Sequence, residues 1–87
     1  RSAVLQEIAQ VSKDAAAWDA NLLKDHIYLL RLQTELDQYV ASKNKIMEKT
    51  LRDIISTQLS KIKIDNEKKE EAMARRRDVE KRLAGGL

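Results

Sequence analysis

Apolar residues recur every three or four positions along this chain from Val4 to Ile62. The line runs Val4, Ile8, Val11, Ala15, Trp18, Leu22, Asp25, Leu29, Leu32 and Leu36. It continues through Val40, Asn44, Met47, Leu51, Ile55, Leu59 and Ile62, and only Asp25 and Asn44 of these 17 positions are polar. Its 16 steps cover 58 residues, so the mean step is 3.625, close to the ~3.6 residues per turn of an α-helix. The pattern predicts an all-α protein, a long amphipathic helix that forms a coiled coil or an elongated helical bundle by association. A second row, Ala16, Ala20, Leu23, Ile27 and Leu30, widens the apolar face. That width suits a helix with two neighbours.

The spacing alternates strictly between four and three as far as Leu36. The steps Leu36–Val40–Asn44 and Leu51–Ile55–Leu59 are then each 4-4, two stutters that locally unwind a left-handed supercoil. Beyond Ile62 the line decays through Asn66, Lys69, Met73, Arg76, Glu80 and Leu83. The chain therefore divides into an association segment, residues 1–64, and a charged helical tail, residues 65–87. The tail is expected to project into solvent and to close at Gly85-Gly86, where glycine can take the left-handed conformation.

Three arrangements fit. The favoured one is a single continuous helix associated in trans, roughly 120 Å long. The first alternative is a helical hairpin turning near Ser42-Lys43-Asn44 and dimerised into a four-helix assembly, in which residues whose numbers sum to about 86 face each other. Its difficulty is that Trp18 and Val11 would face Lys68 and Arg75. The second is a three-helix bundle with a further break near Asp65-Asn66. In each, the long apolar line must be covered by a helix, because leaving it in water is unfavourable.

Composition supports the helical reading. Charged residues make up 36% of the chain, proline is absent, and the two glycines both lie at its end, the mixture found in long helices and coiled coils. Without cysteine there is no disulfide framework, which fits an intracellular, cytoplasmic setting. The first residue is Arg1 and not Met, the start expected of a piece of a longer protein. No leader is visible, and no apolar run approaches the ~18 residues of a membrane span. The net charge of +3 is unevenly spread: residues 1–43 hold five basic and six acidic groups, residues 44–87 twelve and eight.

Candidate chemistry is sparse. His26 has Leu22, Leu23, Leu29 and Leu30 at helical spacing around it, where a metal site would need further ligands; no metal and no cofactor is expected. No Ser/His/Asp grouping, carboxylate pair in a concave setting or glycine-rich phosphate loop can be assembled, so no enzymatic activity is expected. Asp25 and Asn44 interrupt the apolar line, as polar residues that set register do. Trp18, the bulkiest side chain on the line, is its natural anchor.

Arg75, Arg76, Arg77, Lys81 and Arg82 form the one basic cluster and are candidate anion contacts. Glu67, Glu70, Glu71, Asp78 and Glu80 are interleaved with them, and no aromatic residue is available to stack on bases. The function expected is a structural protein–protein interaction module. It would oligomerise or dock on a helical partner through the apolar residues of the Val4–Ile62 line. Nucleic-acid or anionic-surface binding through the C-terminal basic residues is the alternative. A membrane-surface role is disfavoured by a polar face of mixed sign.

Overall fold

The computed structural model describes residues 2–86. Two helices account for nearly all of them: α1, Ser2–Ala41, and α2, Lys45–Gly86. They run antiparallel, joined by the turn Ser42-Lys43-Asn44. The all-α, elongated reading holds, and within it the chain takes the hairpin in place of the unbroken rod. Its extents are 65 × 14 × 13 Å, the length of one helix of about 40 residues at ~1.5 Å per residue.

The rod is interrupted because α1 is closed by its own backbone. The amide of Asn44 donates to the Tyr39 carbonyl at 2.9 Å, and that of Lys43 to the Val40 carbonyl at 3.1 Å. This is the Schellman closure, with Lys43 in the left-handed position at φ 59°. Asn44 then starts α2. Its Oδ1 accepts from the amide of Met47 at 3.1 Å, and its carbonyl from that of Glu48 at 2.9 Å, as an N-cap does. Asn44 is exposed. The expectation that it sets register from inside the apolar line is therefore corrected: it makes the turn.

One seam closes the hairpin. On α1 Val11, Ala15, Leu22, Asp25 and Leu32 are buried; on α2 Leu51, Gln58, Ile62, Asp65, Ala72 and Val79 are. Half-buried residues fill the gaps, among them Trp18, Leu29, Leu36 and Tyr39 on α1, and Ile55, Lys69, Arg76 and Leu83 on α2. The spacing alternates 3-4 without a break from Val4 to Tyr39 and from Glu48 to Leu83, the seam of a two-stranded coiled coil.

Both expected stutters disappear. The seam passes through Tyr39 and not Val40, and through Gln58 and not Leu59; Val40 and Leu59 are exposed. Helical period, not side-chain polarity, decides which position faces the partner.

The C-terminal third is not a projecting tail. Ala72 and Val79 are among the most buried residues of the chain, at 0% and 2% exposure. The division at residue 64 therefore does not describe the structure. Lys69 and Arg76 occupy seam positions because their aliphatic stems can lie on apolar surface while their charged heads reach water. Nor does Gly85 close the helix in a left-handed conformation: α2 runs through Gly86, with no positive-φ glycine among the described residues.

Candidate interaction surface

The bonds that cross the seam fix its register. Gln58 Nε2 donates to the Asp25 carbonyl at 2.9 Å. Lys61 Nζ stands 2.6 Å from Asp25 Oδ1 and 2.8 Å from Asp65 Oδ2. Towards the chain ends, Lys69 meets Asp19 at 2.8 Å, Arg75 meets Asp14 at 3.9 Å and Arg82 meets Glu7 at 2.7 Å. In these five cross-helix pairs the residue numbers add to between 83 and 89. That register puts Ala15 level with Ala72, Leu22 with Asp65 and Trp18 with Lys69.

Every interhelix ion pair has its acid on α1 and its base on α2. Four acids of α1 thus face four bases of α2 across the hairpin. Opposite signs on facing flanks of a coiled coil select partner and orientation.

Asp25 is a buried seam residue, and the layer around it contains residues the apolar pattern did not reveal. Asp25 and Asp65 are both buried, and the Lys61 head is half in water. Asp25 Oδ2 is buried with no donor. The hydrogen bond with the Asp25 side chain, then that from Lys61, holds the Asp65 carboxyl below the usual carboxylate range. Bonds to Asp25 and then Asp65 push the Lys61 ammonium above its ordinary value, and the bond to Asp19 does the same for Lys69. Gln58 and Asp65 could have been found from sequence only by extending the 3-4 count through polar residues; Lys61 lies beside that count.

The expected partner contacts separate into three groups. Val11, Leu22, Leu32, Leu51 and Ile62 are buried between the chain's own helices, and Val4, Ile8, Trp18, Leu29, Leu36, Met47 and Ile55 are half-buried. Val40 and Leu59 remain exposed. Twelve of these fourteen residues are thus wholly or partly covered within one chain.

Among the large apolar side chains left exposed, which also include Leu5, Tyr28, Ile46, Ile54 and Ile64, those of the second row on α1 form a line. Ala16, Ala20, Leu23, Ile27 and Leu30 are all exposed, Leu23 by 63%, Ile27 by 51% and Leu30 by 64%. Their own 4-3-4-3 spacing places them on the side of α1 turned away from α2.

The basic cluster is largely engaged. Arg75 and Arg82 bond to α1 as above, Arg76 donates to Glu80 at 3.0 Å, and Arg82 also lies 3.7 Å from Asp78. Arg77 and Lys81 are exposed. A shallow groove on α2 lined by Leu59, Lys63, Asn66 and Glu70 carries groups of both signs and no convergent chemistry. No helix among the described residues is long and apolar enough to cross a membrane.

Two antiparallel helices zipped along one heptad seam define the class, an antiparallel coiled-coil hairpin. Comparison with protein-family models, with curated proteins and with solved structures finds no match to this chain.

Proposed function

We propose that the hairpin is a structural protein-interaction module that docks a helix on the outer face of α1. The observation that carries this reading is the exposed row Leu23, Ile27 and Leu30, spaced as a second seam on a helix whose first seam is already closed. Three large aliphatic side chains in a line are more than scattered exposure, and such patches mark association sites. Amphipathic helices bind one another through residues at this spacing.

Nucleic-acid or anionic-surface binding through Arg75–Arg82 draws less support, because Arg75, Arg76 and Arg82 already have acidic neighbours. The test is an NMR titration of the chain with an amphipathic helical peptide that has leucines at 3-4 spacing and uncharged flanks. Shift changes confined to residues 16–31 are expected. Changes along the seam, or none anywhere, would rule the docking face out.

A further inference from the structure

The charges of α1 are largely sorted by side, with Asp37, one heptad beyond Leu30, the acid that falls on the outer face. Four of its six acids, Glu7, Asp14, Asp19 and Asp25, bond to α2. Its three bases, Lys13, Lys24 and Arg31, make no ion pair among the described residues, and all three are exposed. Helical spacing places them around the uncovered row. Lys13 lies one turn before Ala16, and Lys24 and Arg31 lie along one edge of it, seven residues and ~10 Å apart. The other edge carries Asp19, already held by Lys69, and His26.

Resting on the docking reading above, we propose that the occupant of this face is an amphipathic helix of another protein with acidic residues along one flank. Its leucine-like side chains would lie on Leu23, Ile27 and Leu30, and carboxylates two turns apart would meet Lys24 and Arg31. The small residues Ala16 and Ala20 let the visiting backbone come close at one end of the row. A second copy of this chain is a poorer fit: beside this row on α1 it offers Asp19, engaged by its own Lys69, and Asp37, one heptad beyond Leu30, and these two cannot set carboxylates seven residues apart against Lys24 and Arg31. An anionic lipid surface is also a poorer fit. The row has only three large side chains and no aromatic residue to seat at the headgroups, Trp18 being part of the inner seam.

The experiment uses the whole chain and two designed 21-residue helical peptides that share an apolar face and differ only in one flank, glutamate or lysine at seven-residue intervals. Changing two attractive surface contacts into two repulsive ones is expected to make the glutamate peptide bind at least about tenfold tighter. The double variant Lys24→Glu/Arg31→Glu should reverse the preference. Equal binding of both peptides would overturn the acidic-partner proposal and leave the docking face standing. Binding of neither would overturn both. Concentration-dependent dimerisation abolished by Leu30→Glu would overturn it in favour of a second copy. Residue 16–31 shifts with phosphatidylserine vesicles but not with peptide would overturn it in favour of lipid.

Discussion

Gln58 on α2 donates its side-chain amide to the backbone carbonyl of Asp25 on α1, at 2.9 Å and out of water. The acceptor is main chain, so this bond specifies a level along α1 and not the identity of the side chain there. Asp25→Leu should therefore keep the register. It also removes the donorless Asp25 Oδ2 and leaves Lys61 on Asp65 at 2.8 Å. A higher melting temperature with unchanged mass by light scattering is the expected result, since the buried carboxylate gives way to apolar surface while Lys61 keeps Asp65 as its partner and no buried charge is left unpaired. A lower melting temperature would show that the Lys61–Asp25 contact outweighs the burial of the carboxylate.

The register can be trapped covalently. Ala15 and Ala72 are both buried at the same level of the seam, and the chain has no cysteine of its own. Ala15→Cys/Ala72→Cys is expected to oxidise to an intramolecular disulfide. Ala15→Cys/Ile62→Cys, about 15 Å out of step along α2, lies far beyond the reach of a disulfide and is expected to stay reduced. Monomer bands on non-reducing gels distinguish the two.

The turn carries a correctable strain. Lys43 sits at φ 59°, where a residue with a Cβ is disfavoured by roughly 1–2 kcal/mol. Lys43→Gly is expected to stabilise the hairpin by about 1 kcal/mol after the extra chain entropy of glycine is counted. Asn44→Ala, which deletes the cap on the Met47 amide, should destabilise it by about 1 kcal/mol. Paired urea titrations measure both.

Inner and outer leucines should behave oppositely. Leu32 is 3% exposed and Leu23 63%. Leu32→Ala is expected to cost about 2–3 kcal/mol, the low end of the range for a buried leucine, because two helices can partly close the gap. Leu23→Ala should change stability by less than about 0.5 kcal/mol while weakening helix docking. Loss of fold in Leu23→Ala would remove the distinction between the two faces.

The ion pairs set a pH window. Asp65 is depressed below its ordinary value of 3.8, so its contribution is present above that pH and is lost as pH falls through the lower folded value. Lys61 and Lys69 are raised above 10.5, so theirs is present below 10.5 and is lost as pH rises through the higher folded values. Melting temperature against pH should show a plateau between these limits with a fall on each side. Lys61→Met should shrink the alkaline fall. No fall on the acid side at all would contradict the assignment for Asp65.

The helical class and the α1 seam as far as Leu36 were legible because apolar residues mark them. The rest was hidden by the same criterion. Val40 and Leu59 attract a line drawn through apolar residues, yet the helix turns Tyr39 and Gln58 inward. Lys69 and Arg76 read as solvent residues in the sequence, although both are half-buried at seam positions. The turn was nameable, but nothing local showed that Lys43 would accept a left-handed conformation in a chain whose two glycines lie elsewhere. The outer row was visible as width, and its meaning changed once the inner line was seen to be closed by the chain itself.

Because the helices are almost equal in length, Ser2 and Gly86 lie side by side, a full molecular length from the turn. A load applied through these two ends would not be shared along the seam. It would peel the hairpin open layer by layer, the Glu7–Arg82 contact first and the Asp25 layer only after several others have parted. Applied across the flank of α1, the same load would meet all the layers at once. As a mechanical part, the molecule is built to yield at its ends and to resist from the side.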